Sequence, residues 1–304
     1  MRISAIIPTF NRSEHLVATL EQLLELARPP EEIIVVDQTR EHPAVVLDRL
    51  TRLADRDAIR WLRRRTPSIT GAMNAGAVAA SGDVLLFLDD DVRIPSELVS
   101  AHAHAHERQA VAIVAGRVLQ PWHEGVDGEV DACDSVPCPD SFPFHSRHAC
   151  EVQRFIGCNV SMRRHWVLRA GGFDENFRGA AYRFEADFAA RVLAAGGRIV
   201  FEPDAFVHHL HSASGGSRTF GDQLSVIGPW HSAGRWYYLM RHPRTPGLVA
   251  LTLNEARQCV LARSHLRRPW RILPSLIAEV AGLACAVIYA VRGPQLTLSC
   301  RSVS

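Results

Sequence analysis

The sequence predicts an α/β fold: a mixed, mainly parallel sheet flanked by helices, with a mostly helical C-terminal appendage. Three observations predict it. Short apolar strands alternate with helix-period segments through the first half of the chain, which is the pattern of a parallel sheet covered on both faces. The strand cores Ile3–Ile7, Ile33–Val36 and Val84–Leu88 are almost unbroken in apolar residues, as strands buried on both sides must be. Polar groups stand just after these strands, at Pro8-Thr9-Phe10-Asn11, Asp37-Gln38 and Asp89-Asp90-Asp91, where open α/β sheets bind ligands.

In chain order, the first strand is closed by Pro8, and a helix follows from Ser13 to Ala27. Asn11 and Glu14 have the spacing of a capping box, Leu16, Leu20, Leu23, Leu24 and Ala27 share a face, and Pro29-Pro30 stops the helix. The second strand ends at Asp37. Val45–Ala54 reads as helix, Ala58–Leu62 as strand, Ala72–Ala80 as helix, and Val84–Leu88 as the strand leading into the acidic triplet. Another helix begins near Pro95. Residues 120–152, rich in Pro, Asp, Cys and His without a period, read as a long loop. A helix at Phe184–Ala195 and a strand at Arg198–Phe201 complete a body of residues 1–218, and residues 219–304 form the appendage.

Composition narrows the function. With 47% hydrophobic residues the chain has an ample core, and its net charge is only +2. The charge is uneven: residues 235–304 hold 10 Arg and 2 acidic residues, against 24 Arg and 30 acidic residues before them. Such a tail docks on the acidic body or touches an anionic membrane surface; no nucleic-acid partner is expected. Lysine is absent, which excludes Schiff-base and P-loop lysine chemistry. The seven scattered cysteines have no two-residue spacing and point to reduced thiols. The N-terminus runs straight into a strand, so the expectation is a cytoplasmic protein, peripheral at most at the inner membrane face. Leu273–Val291, interrupted by Glu279, is expected to be an amphipathic or buried helix rather than a span.

The acidic triplet carries the chemistry. On an extended chain Asp89 and Asp91 share a face and Asp90 faces away, so two carboxylates converge at a strand tip. A hard divalent cation, Mg²⁺ or Mn²⁺, relieves their repulsion, and such ions are usually shared with substrate phosphates. The competing reading is a solvated acidic turn capping the next helix. The glycine-rich dinucleotide fingerprint is missing after the first strand, which disfavours a dehydrogenase. His102, His104 and His106 offer only two residues on one helical face, too few for a metal site.

Taken together, Ile6-Ile7-Pro8-Thr9-Phe10-Asn11-Arg12, Ile33–Asp37, Asn74-Ala75-Gly76, Leu88–Asp91, Gly171-Gly172-Phe173-Asp174 and Phe184-Glu185-Ala186-Asp187 with Arg191 resemble glycosyltransferase family 2 over residues 1 to about 218. The resemblance implies a Rossmann-like GT-A fold and a metal-dependent, inverting transfer of sugar from a UDP-, GDP- or dTDP-sugar to a hydroxyl acceptor. It places Pro8, Thr9, Asn11, Arg12, Asp37, Asn74, Asp89 and Asp90 around the nucleotide. Asp91, with Asp89 and His209, would hold Mn²⁺ or Mg²⁺. Glu185 occupies the position where the family usually has an Asp base, and Asp187 a second acidic position. Asn159, Gly172, Phe173 and Asp174 are expected to shape the sugar and acceptor pocket, and Gly215, Gly216 and Arg218 a lid. Met73 departs from the family, which commonly has Arg there. Two alternatives remain at this point: a non-catalytic sugar-nucleotide-binding relative, and a nucleotidyltransferase acting on a sugar phosphate.

Overall fold

The computed structural model describes residues 1–123, 142–221 and 227–298. Much of the loop expected at 120–152, together with Cys133, Cys138 and Cys300, therefore lies outside the described residues.

The elements are β1 (Ile3–Thr9), α1 (Ser13–Glu25), β2 (Glu32–Asp37), α2 (Ala44–Asp55), β3 (Arg60–Arg63), α3 (Ile69–Ala79), β4 (Val84–Leu88) and β5 (Val92–Arg93). Then follow α4 (Leu98–Arg108), β6 (Ile113–Leu119), β7 (Cys150–Val152), β8 (Asn159–Arg163), α5 (Arg164–Arg169), α6 (Phe184–Ala194) and β9 (Ile199–His209). The C-terminal region contributes α7 (Trp230–Arg241), α8 (Leu248–Val260), α9 (Arg263–Leu266) and α10 (Ile272–Arg292).

One sheet runs in the order β3-β2-β1-β4-β8-β6-β9-β5, with β7 paired to β9. Its first four strands are parallel, as the alternating half of the sequence predicts. Beyond them β8 inserts antiparallel between β4 and β6, so the described strand pairs divide evenly between parallel and antiparallel. This insertion places the end of β4 beside the start of β8 and, through β6, near the end of β9. The residues at those ends build the site.

Strand periodicity sorts the core. Ile6, Ile34, Val36, Leu85 and Phe87 face one layer, whereas Ala5, Ile7, Ile33, Val35, Leu86 and Leu88 face α1, α2 and α4 on the other. The first layer also takes in Phe173, Phe177, Phe188, Tyr237, Tyr238, Leu248, Ala286 and Leu298. The core thus continues without a break from the body into residues beyond 218. The register slips once, between Gly116 and Arg117 against β9. There the Asn159 amide donates to the carbonyls of Arg117 (3.0 Å) and Ala205 (2.9 Å), and a Cβ on residue 116 would fall on that amide.

The capping box expected for α1 does not form. Arg12 is the N-cap residue without a side-chain cap bond, and Asn11 adopts a left-handed conformation (φ 55°) with its N–H bonded to Thr39 Oγ1. The chain must turn sharply there to bring Arg12 under the acidic triplet, and that geometry displaces the cap. His102 and His106 are wholly buried and bonded to Asn159 and Ser161, a structural network. Burial holds their imidazoles well below the usual range, at about 4 and about 3.

Candidate active site

Asp89, Asp91 and His209 come together beyond the β4 end, with one possible ligand atom from each within 4.8 Å of the others. β4 delivers the two carboxylates and the far end of β9 delivers the imidazole. His209 Nε2 lies 3.3 Å from Asp91 Oδ1 and 3.6 Å from Asp89 Oδ2. Its Nδ1 pairs with Gln120 Oε1 at 3.0 Å. An amide oxygen only accepts, so this bond puts a proton on Nδ1 and aims Nε2 at the two carboxylates. The donor set fits a divalent cation, and the imidazole favours Mn²⁺ over Mg²⁺.

Arg12 lies beneath this cluster. Its Nη1 bridges Asp90 (3.0 Å) and Asp91 (2.8 Å), and its Nε donates to the Ser214 carbonyl. Burial tends to raise the Asp91 pKa, but the hydrogen bond and charge of His209, with Arg12 and the Ser212 N–H, outweigh it and hold Asp91 below the ordinary carboxylate range. Asp90 shares Arg12 Nη1 with Asp91 and accepts from Thr9 Oγ1 at 2.6 Å. Pro8, Thr9, Arg12, Asp89, Asp90 and His209 line one continuous cavity of about 610 Å³. Gln38 and Met73 line it too.

Glu185 lines the same cavity from the first turn of α6, and Gly157 lies against it across the loop before β8. Burial pushes its carboxyl up to about 7, against the opposing pull of backbone N–H groups including that of Gly157. The Asp89 charge adds to the rise, so these two groups sense each other within one site. An aromatic wall from Phe142, Phe144, Phe155, Tyr182 and Phe184 encloses this side, together with Arg154. Apart from Phe184, which heads the motif carrying Glu185, no sequence signal marked that wall or Gln120, because they come from segments without a period that only the fold brings in.

Several expected site residues stand elsewhere. Asp187 is wholly buried and bound to Arg191 Nε (2.8 Å) and His242 Nε2 (2.9 Å), outside the cavity wall, so its carboxylate is taken up by ion pairs. Asp37 is also fully buried, accepting from Thr39 N, His42 Nε2 and Trp61 Nε1, and contributes no wall atom. Asn11 is exposed and outside the wall. Asn159 serves the β6–β9 slip described above, while its neighbours Gly157 and Cys158 do line the cavity. Asn74 bonds the backbone of Phe173 and the Thr297 hydroxyl, and Asp174 accepts from Tyr237 Oη and Gln295 N. Gly172, at φ 77°, packs on Asn74 and Leu298. These residues, with Phe173 in the core, secure the C-terminal region and stand outside the cavity wall, Asn74 having been expected at the nucleotide and the others at the sugar.

Gly216 and Arg218 line the cavity from the segment expected as a lid. Gly215 and Gly216 have φ of 75° and 53°, and a Cβ on Gly215 would strike Arg12 and the Asn11 carbonyl, so only glycine lets this strap lie on the β1 end. The Gly216 N–H bonds the Phe10 carbonyl at 2.8 Å, and Arg218 bonds the Ser212 carbonyl.

The family model described as "Glycosyl transferase family 2" matches residues 4–168, more than half of the chain. The chain belongs to glycosyltransferase family 2. Among curated family relatives, glucosyl-dolichyl phosphate glucuronosyltransferase of Haloferax volcanii is 25% identical over 230 residues, 69% of each chain. Pre-mycofactocin glycosyltransferase of Mycobacterium tuberculosis is 25% identical over 214 residues, 69% of this transferase and 43% of that one. Among solved structures, a mannosyltransferase of Pyrobaculum calidifontis in complex with GDP-Man and Mn²⁺ covers 96% of this chain and 79% of its own, with TM-score 0.55 at 19% identity. S. aureus TarS 1-349 in complex with UDP-GlcNAc covers 94% and 82%, with TM-score 0.64 at 15% identity. The fold of this transferase is accordingly GT-A, and its activity is glycosyl transfer.

Proposed function

We propose that this family 2 enzyme is a metal-dependent, inverting transferase that moves a sugar from a nucleotide-diphosphate donor to a hydroxyl of a glycan, a lipid-linked acceptor or a metabolite, in the cytoplasm. One observation carries the reading: the Asp89, Asp91, His209 cluster reaches the cavity through Asp89 and His209, and the elevated Glu185 carboxyl lines that same cavity. A divalent cation held by that cluster would neutralise the charge growing on the departing diphosphate.

The remaining work falls to the chain. Pro8, Thr9 and Gln38 line the end of the cavity beside β1 and β2, where a base and ribose would lie. Arg12 holds Asp90 and Asp91 in register, and Arg218 lies where it would meet a phosphate. Glu185 Oε would take the proton of the acceptor hydroxyl as that oxygen attacks the anomeric carbon opposite the leaving group. A base of pKa near 7 is matched to work at neutral pH. The aromatic wall beside Glu185 would seat the apolar face of the acceptor or its sugar.

The test is a panel of UDP-, GDP- and dTDP-sugars with and without Mn²⁺, following nucleoside diphosphate, pyrophosphate and the anomeric configuration of the product. Expected are Mn²⁺-dependent nucleoside diphosphate release and inversion, with Glu185→Gln binding donor but not transferring. Pyrophosphate release from a nucleoside triphosphate mixed with a sugar 1-phosphate, without any such transfer, would make the protein a nucleotidyltransferase. Donor binding without any turnover, even to water, would make it a binding relative.

A further inference from the structure

The helix α10 presents two unlike faces. Ser275, Gly282 and Ala286 are buried with Glu279 on the same stripe, at steps of 4, 3 and 4 residues, and this stripe packs on α7. Gly282 lies so close to Ser232 that a Cβ there would overlap its hydroxyl. Glu279 receives two bonds from Arg235 Nη2 (2.7 and 2.6 Å) and one from Trp236 Nε1 (2.6 Å), and Arg235 itself is 1% exposed. The opposite stripe, Leu273, Leu276, Ile277, Val280, Val287 and Val291, is exposed, with Val291 83% so. Trp270 and Leu266, just before the helix, are exposed as well.

The apolar segment Pro269–Arg292 has the length to cross a bilayer, yet only 17% of its most apolar window is buried in the protein. Crossing would require lipid around every face, including that of Glu279 and its buried Arg235 partner. The ion pair and the Gly282 contact tie one face to the protein, so only the other is free to enter an apolar medium. The charges around that face have one sign. Arg263, Arg267 and Arg268 are exposed ahead of the helix and Arg292 at its end. Both acidic residues of 235–304 are turned inward, Glu279 to Arg235 and Glu255 to Arg183 at 2.6 Å.

We propose that α10 docks this enzyme on an anionic lipid surface, lying in the plane of the interface with the Leu273–Val291 stripe in the acyl boundary and the flanking arginines at the headgroups. The helix is about 31 Å long at the usual rise per residue, so its arginine-bearing ends rest on headgroups well apart, as a one-sided raft rather than a span. The proposal is independent of donor and acceptor, and its test needs neither.

The full chain is sedimented with phosphatidylcholine vesicles and with vesicles carrying phosphatidylglycerol. Expected is binding that requires the anionic lipid, weakens as salt rises from about 0.1 to about 1 M, and is released by alkaline carbonate. Leu276→Glu with Ile277→Glu, which leaves the α7 contacts untouched, should weaken binding about tenfold or more. Arg267→Glu with Arg268→Glu should remove much of the salt-sensitive part, and brominated lipid should quench Trp270, a signal absent in Trp270→Phe. Undiminished vesicle binding by the Leu276→Glu/Ile277→Glu variant overturns the proposal. So does resistance to carbonate, which means a span, or a lipid-free dimer that this variant dissolves while vesicles bind nothing, which means a second copy covers the face.

Discussion

Asp187 accepts a hydrogen bond from His242 Nε2 at 2.9 Å, so one buried carboxylate joins the residue just after α7 to the helix that carries Glu185. Arg191 Nε closes the cluster from one turn further along α6, at 2.8 Å. Burial works to raise the Asp187 pKa, but His242 and Arg191 outweigh it and hold it below the ordinary range. A depressed carboxylate pKa contributes stability that is complete above the unfolded value near 4 and is lost as pH falls through the native one. Asp187→Ala should therefore cost about 3–5 kcal/mol near neutrality, because it leaves the buried end of Arg191 without its partner. Urea melts of wild type and variant at falling pH check this: the two midpoints should converge as the wild type is acidified.

Glu185 has the opposite sign. Its carboxyl is raised to about 7 by burial, so the charged form is a penalty to folding that grows from the unfolded value near 4.3 and levels off above pH 7. Glu185→Gln should raise stability at pH 8 by up to about 3 kcal/mol, as exchanging a strained functional group for a neutral one often does. The same variant should lower kcat by about 10²–10⁴ while leaving donor binding in place. In wild type kcat/KM should climb with pH and level off above about 7, since only the ionised carboxylate takes a proton. A flat profile from pH 5 to 9 would remove Glu185 as the base.

The strand tips were legible because their information is local. An apolar run ending in Asp89-Asp90-Asp91, or in Pro8-Thr9, announces both a strand and what stands at its end. His209 was expected beside the acidic triplet and stands there, although the sequence has β9 ending at Phe201 while the strand runs on to His209. What the sequence could not convey depends on contacts between distant segments. Asn74 has the chemistry of a nucleotide ligand and Asn159 and Asp174 that of sugar ligands, and nothing nearby in the chain marks their actual partners, Thr297, Ala205 and Tyr237. The resemblance puts Glu185 at the base position and Asp187 second, and nothing local shows that His242 folds onto Asp187. The even mixture of strand directions follows from the insertion of β8, which no local pattern records.

Gln120 offers a way to probe the proposed metal site without touching Asp89, Asp91 or His209. Its Oε1 holds the His209 Nδ1 proton at 3.0 Å and so fixes the tautomer that aims Nε2 at Asp89 and Asp91. Partners of this kind typically account for about 10–100-fold in metal affinity. Gln120→Leu should weaken Mn²⁺ binding by that amount, read by Mn²⁺ electron paramagnetic resonance in the presence of UDP or GDP, whereas Gln120→Glu should retain it. Unchanged Mn²⁺ affinity in Gln120→Leu would show that His209 is not a ligand.

The C-terminal region completes the core of the body, and its removal has a definite expected result. Tyr237, fully buried, donates to Asp174 Oδ2 at 2.7 Å, receives from Asn176 Nδ2 at 3.0 Å, and packs on Phe177. Leu298 and Ala286 fill the same layer, and the Thr297 hydroxyl meets Asn74. A chain ending at Arg218 would bare Phe173 and Phe177 and strand the polar atoms of Asp174, Asn176 and Asn74, each unsatisfied group costing about 1–3 kcal/mol. Such a chain should be insoluble or lack a cooperative thermal transition. Tyr237→Phe isolates the hydroxyl and should cost about 1–3 kcal/mol in a urea melt of the full chain. A cooperative melt for the chain ending at Arg218 would mean that the first 218 residues fold as a domain of their own and that the shared aromatic layer contributes little to holding them together.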